Sequence, residues 1–288
     1  VEAAAALDAA LLRSADAIAG PAAGDRGGDG RGWGTFLSGG IDSSVATALT
    51  SARRPGLSTF TLGTEHADEY REAEELAAHL GVRHARVFAT EADATRHFDR
   101  AVFANETVDG LTAETLAQLG ILAEHASPTV ARVVTGYGAD LLFGSMLRHQ
   151  LYMKVTGVDD LQSLIERTCW TGEFAPFFAW AHGVEIHHLF WDPDVMNAAF
   201  RVPPEASYDG EHEKIVLRTM ASDRGYVPRE HAFRKKQALT DGTRFAELLA
   251  SGFLLRSPHA YDEKDARCVE QLGRLLVSSH PPPPREPT

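Results

Sequence analysis

The chain has 288 residues, 44% of them hydrophobic, and a formal net charge of −12. That length suffices for one large or two small cores, and the acidic balance argues against a nucleic-acid binder, whose footprint is a basic patch. No apolar run approaches the roughly 18–20 residues needed to cross a bilayer, so neither nucleic acid nor membrane is expected as a partner.

Residues 1–12 (VEAAAALDAALL) are rich in helix formers and place Leu7, Leu11 and Leu12 on one stripe. The acidic residues in this stretch do not suit a signal peptide. Residues 20–32 are glycine-dense and polar, fit no dinucleotide loop, and read as a mobile surface loop. An apolar run at 33–37 then leads into Ser38, Gly39, Gly40, Ile41, Asp42, Ser43 and Ser44, and 45–49 reads as a helix. A strand that ends in two glycines and opens a helix suits a phosphate: the glycines allow close backbone approach and the helix start presents free N–H groups. Ser38, Ser43 and Ser44 add hydroxyls, and Asp42 is placed to hold a metal ion against the phosphates. The pattern GxxxxGK[ST] is absent, which argues against an ordinary P-loop ATPase. A tight turn with serine caps is the plainer alternative.

Strands follow at 57–62, 84–88 and 131–134, and helices at 69–80, 93–103 and 112–126. This alternation predicts an α/β fold with a parallel sheet flanked by helices. Ligands in such sheets sit at the carboxyl ends of the strands. The loops at 38–44, 62–65 and 136–140 therefore share one edge, where Asp42 and Asp140 can meet one magnesium ion. After residue 145 the strand signal fades, and helical patterns at 159–168, 194–200, 213–221 and 245–250 predict a mostly helical C-terminal half. The proline-rich end suits neither helix nor sheet, and 276–288 is read as a disordered tail. Cys169 and Cys268 give neither a disulfide framework nor a paired metal site; a reducing cytoplasm is the simplest home. His182, His187 and His188 around Glu185 offer a metal alternative, but no HExxH is present and scattered structural histidines are the better reading.

The heptapeptide at 38–44 resembles the pyrophosphate loop of ATP pyrophosphatases, which split ATP into AMP and pyrophosphate. By itself it leaves asparagine, GMP, NAD and argininosuccinate synthetases open. Four further stretches resemble the synthetase domain of asparagine synthetase-like enzymes: 135–146 (TGYGADLLFGSM), 183–192 (GVEIHHLFWD), 213–218 (EKIVLR) and 234–239 (RKKQAL). Tyr137 stands where asparagine synthetases carry Glu in a GEG sequence. The Gly-Tyr-Gly here is similar to β-lactam synthetase and carbapenam synthetase, and so are 60–65 (FTLGTE), 68–73 (DEYREA) and 105–109 (NETVD).

The resemblance implies an adenine nucleotide alpha hydrolase-like (PP-loop) fold that uses ATP and Mg2+. It implies one synthetase domain over 1–275: a leading helix and flexible loop (1–32), a nucleotide-binding α/β part (33–145) and a mostly helical part (146–275). Nucleotide contacts fall on Ser38, Gly39, Gly40, Asp42, Ser43, Ser44, Leu62, Gly63, Gly136 and Lys214, and metal contacts on Asp42 and Asp140. Tyr137 and Glu173 correspond to a pair acting on the attacking amine, and Lys236 to a lysine stabilising the acyl-transfer state, with Lys235 its rival. The chemistry stands without the family, since an amine must lose a proton before attack and a fixed ammonium stabilises developing negative charge. The plainer readings are a strand-end Tyr137, a solvated loop acid at Glu173 and a surface basic cluster at 234–236.

The implied reaction is AMP-forming amide synthesis on an amino-acid-like small molecule, most simply intramolecular lactam formation in a biosynthetic pathway. The alternative is an amidotransferase fed with ammonia by a partner glutaminase; a non-catalytic nucleotide-binding subunit is the reading from another class. Two departures matter. Thr115 and Leu164 stand near the places where β-lactam synthetase meets a guanidinium, and neither pairs with one. Family members also carry an N-terminal glutaminase-like domain; this sequence begins, without Met, at the helix that would follow it, so that domain is expected on a separate polypeptide or on a longer chain of which this is a processed or truncated piece. The stripe of Leu7, Leu11 and Leu12 predicts either a separate or cleaved domain packed there or a homo-oligomer.

Overall fold

The computed structural model describes residues 2–21, 30–143, 166, 172, 177–202, 209, 211–234 and 242–279. Five strands form one sheet: β1 (Gly32–Phe36), β2 (Ser58–Gly63), β3 (Arg83–Phe88), β4 (Val130–Thr135) and β5 (Glu185–His188). Their order is β3-β2-β1-β4-β5, and every pairing is parallel. Parallel strands need crossovers, and helices supply them: α2 (Ile41–Ser51), α3 (Tyr70–Leu80), α4 (Glu91–Asn105) and α5 (Gly110–Ala126). The local chemistry sets their ends. Thr90 and Asp93 close a reciprocal capping box at the start of α4, Asp109 accepts from the Thr112 N–H at the start of α5, and Gly81 ends α3 in the left-handed region.

Side chains from the two faces of the sheet build two cores. Trp33 and Val134 join α1 (Glu2–Ala19), α2 and α3 on one side, while Phe36, Phe60, Leu62, Val87 and Val133 join α4 and α5 on the other. Short α6 (Ala139–Leu142) follows β4, and a 3-10 turn (Phe177–His182) precedes β5. Then come α7 (Pro193–Ala199), α8 (Ile215–Asp223), α9 (Arg229–Ala232), α10 (Phe245–Phe253) and α11 (Tyr261–Ser279). No helix among the described residues is long and apolar enough to cross a membrane.

The half past 145 is mostly helical among the described residues, as expected, and adds one strand at 185–188; EIHH has one apolar residue, and its pairing to β4 supplies what its composition does not. Two expectations are corrected. The range read as a tail from 276 begins inside α11, which runs to Ser279. Charged residues dominate this helix, so its apolar signal is weak. Yet Gly110 lies so close that a Cβ there would meet Lys264 Cβ at 2.3 Å, and Lys264 forms a fully buried ion pair with Glu114. The second correction concerns α1. Leu7 and Leu11 are completely buried against the chain's own α7 and α8. The buried Asp8 accepts from Tyr226 Oη at 2.7 Å and pairs with Arg224. The stripe is filled from within, so it no longer argues for a partner. The helix expected at 159–168 lies, apart from Glu166, outside the described residues.

One buried titratable group makes the fold pH-sensitive. His97 Nε2 lies 2.6 Å from Glu124 Oε2, and Arg96 grips the same carboxylate. Burial pushes His97 from 6.5 down to about 4, against the pull of Glu124. The unfolded chain then takes up this proton first, so stability should fall as pH drops from 6.5 through about 4. Urea midpoints measured across that window should decline for the unaltered protein and decline less for His97→Gln. An identical slope in the variant would place the effect elsewhere.

Candidate active site

The carboxyl edge of the sheet gathers the loops after β1, β2 and β4. The first is shaped by two glycines: Gly39 takes a φ of +69°, and a Cβ there would sit 2.9 Å from Glu72 Cβ. Gly40 opens α2 without a side-chain cap, which leaves the first N–H groups of the helix for an anion. The hydroxyls of Ser43 and Ser44 donate to the Gly40 carbonyl at 3.1 and 2.7 Å, and Ser38 N–H donates to Ser43 Oγ at 3.1 Å. The serines thus hold the turn itself.

The loop after β4 lies directly against this turn. A Cβ on Gly136 would meet the main chain of Asp42 and Ser43 at 2.4–2.5 Å, a distance only glycine permits. Half-buried Tyr137 donates its N–H to Thr135 Oγ1 at 3.3 Å, and its ring stands 5.5 Å from that of His188. Gly138, at φ +95°, then starts α6 and places Asp140 in its first turn. Near the end of β2, Leu62 turns its side chain into the core. Gly63 is explained by a neighbour: a Cβ there would overlap the Tyr70 ring at 2.5 Å.

Lys214 draws these elements together. It caps α8 in the left-handed region (φ +61°, ψ +35°), a conformation that costs an L-residue about 1 kcal/mol or more. Its buried ammonium donates to Asp42 Oδ2 and lies 2.5 Å from Asp140 Oδ1. Burial alone would lower its pKa, but Asp140 and Asp42 outweigh burial and raise it. Asp42 Oδ1 is buried with no hydrogen-bond partner. Two carboxylates converging on one cation, with a buried oxygen still unsatisfied, form a donor set that suits a hard divalent ion such as magnesium.

The loops bearing Asp42 and Asp140 share one edge as expected, and Lys214, expected near the phosphates, pairs there with both carboxylates. Glu173, Lys236 and Lys235 lie outside the described residues, as does Leu164. Thr115 is buried and donates to the Leu111 carbonyl of its own helix. The three histidines part company: His188 bonds Thr135, His187 lies beside Glu185 against Trp33, and His182 faces His97. Arg218 and Arg234 were not singled out by the sequence. Arg234 ties residues 229–234 to Glu72 at 2.7 Å and Glu69 at 3.4 Å, immediately behind Gly39. The signal available was spacing, since Arg218 stands one helical turn after Lys214.

The asparagine synthase family profile matches residues 29–171 and 158–253. This chain belongs to the asparagine synthase family. Among curated relatives, the carboxyethyl-arginine beta-lactam-synthase of Streptomyces clavuligerus is 30% identical over 210 residues, covering 72% of this chain and 40% of that protein. The glutamine-hydrolyzing asparagine synthetase of Triphysaria versicolor is 27% identical over 239 residues, covering 74% and 40%. Asparagine synthetase B of Escherichia coli (strain K12) is 26% identical over 236 residues, covering 74% and 42%. This asparagine synthase-family chain thus spans well under half the length of these relatives. A solved NMN synthetase from Francisella tularensis aligns over 98% of this chain and 97% of its own at 12% identity, with a TM-score of 0.45.

Proposed function

We propose that this chain is the synthetase portion of an ATP-dependent, AMP-forming ligase that adenylates a carboxylate and joins it to an amine. The observation that carries the proposal is the convergence of the uncapped α2 N-terminus, Asp42, Asp140 and Lys214 on one edge of a parallel sheet. The N–H groups at the start of α2 bind the leaving pyrophosphate, and Lys214 supplies a positive charge beside it. Asp42 and Asp140 would hold a magnesium ion, whose charge offsets that of the phosphates. Tyr137 with Glu173 accepts the proton of the attacking amine. Lys236 stabilises the oxyanion of the acyl-transfer state, and Lys235 is the alternative.

Within the family, Gly-Tyr-Gly at 136–138 and the 30% identical beta-lactam-synthase favour an intramolecular, lactam-forming reaction. The substrate is an amino-acid-like molecule without the guanidinium contacts of that relative. A glutaminase-like domain on a separate or longer chain remains the partner that an ammonia-dependent relative would need. The test is product analysis with ATP, magnesium and a panel of β-amino acids. AMP and pyrophosphate released together with loss of water from the amino acid are expected. ADP as product would overturn the ligase reading, and ammonia-dependent amidation without a cyclic product would replace the lactam branch.

A further inference from the structure

Lys214 holds its backbone conformation without a side-chain cap, at the start of a helix, with its ammonium buried. Something else must over-determine that geometry. Arg218, one turn on, is itself buried at 6% exposure. Its N–H donates to the Lys214 carbonyl at 3.0 Å, the first bond of α8. Its side chain folds back across the same turn: Nε donates to the Glu213 carbonyl at 2.7 Å, fixing the peptide immediately before Lys214. One terminal nitrogen of the guanidinium donates to the carbonyls of Ala232 and, at 3.2 Å, Arg234. Arg234 is the residue before Lys235 and two before Lys236. A single planar cation therefore ties three main-chain carbonyls, one beside each lysine-bearing segment and one in α9. Lysine cannot reproduce that fork, because its ammonium is a point charge on a flexible stem.

We propose that Arg218 is a positioning residue for Lys214: it holds Lys214 in its left-handed conformation against Asp42 and Asp140 by tying that turn to the Ala232 and Arg234 carbonyls. The kinetic half of this proposal rests on the ligase reading above, while the conformational half does not.

The experiment compares unaltered protein, Arg218→Met and Arg218→Lys by amine acylation under native conditions, read residue by residue by mass spectrometry. Lys264 is the internal control, being fully buried and ion-paired at the remote contact of α5 with α11. Labelling of Lys214 should rise about tenfold or more in both variants, because local opening controls access to a buried amine, with Lys264 unchanged. Turnover should fall with little change in the KM for ATP, and Arg218→Lys should not restore it. Joint exposure of Lys214 and Lys264 would make Arg218 a general fold residue and overturn the proposal. Unchanged protection of Lys214 in Arg218→Met would overturn it as well. Because labelling needs no substrate, a failed ligase assay leaves this readout intact.

Discussion

A Lys214→Met variant should lose turnover by about 10²-fold or more, the usual order for removing one preorganised charge from a transition state, yet bind Mn2+ more tightly than the unaltered protein when no nucleotide is present. The two effects have one origin. In the structure the ammonium stands against both Asp42 and Asp140, the two carboxylates that would hold a divalent ion. Opposite charges about 4 Å apart attract by about 4 kcal/mol at an effective dielectric near 20, so a metal entering this site must first displace the lysine. Methionine keeps the aliphatic bulk and removes the competitor. It also leaves Asp42 buried without its counter-charge, and breaking such a pair from one side is strongly destabilising. The metal-free variant should therefore melt at lower temperature, with Mn2+ or Mg2+ recovering more of the loss than in the unaltered protein. Mn2+ titration followed by electron paramagnetic resonance, with thermal melts at matched metal concentrations, checks both. Weaker Mn2+ binding in the variant would show that Lys214 does not hold the metal's place.

The sheet was legible in the sequence because β1, β2 and β4 are short segments rich in β-branched and aromatic residues that end at or near glycine and alternate with helical patterns. Their loops share an edge because parallel crossovers leave no other arrangement. The edge strand was not legible: Glu185, Ile186, His187 and His188 carry no alternation, and Thr135 with His188 supplies a side-chain contact that no periodicity announces. The α1 stripe was read correctly as buried, but its partner was misjudged. Whether a stripe packs on its own chain or on another depends on α7 and α8, nearly two hundred residues away. For the site, the loops after β1 and β4 brought Asp42 and Asp140 to one edge in the sequence reading, whereas Lys214 entered only through the resemblance of 213–218 to a family segment. Arg218 escaped notice because its partners are main-chain carbonyls, and a carbonyl has no signature in a sequence.

Gly136→Ala is expected to be severely damaging for so small a substitution. The added methyl would stand 2.4 Å from the Asp42 carbonyl carbon and 2.5 Å from its oxygen and from Ser43 N. These are main-chain atoms in the first turn of α2, so no rotamer change relieves the overlap. Either the end of β4 or the start of α2 must move. Overpacking of this kind costs about 1–3 kcal/mol. Function should suffer more than stability, because Asp42 belongs to the turn that is pushed and Asp140 to the loop that pushes. A displacement of about 1 Å between groups that act together can lower a rate by about 10²-fold. Gly273→Ala is the matched control: it lies within α11 with nothing inside 4 Å of its added carbon, and it should be neutral or slightly stabilising. Denaturant unfolding and pyrophosphate release on the same samples separate the two effects. Full turnover in Gly136→Ala would mean that β4 and α2 do not meet backbone to backbone, and the shared position of Asp42 and Asp140 would lose its structural cause.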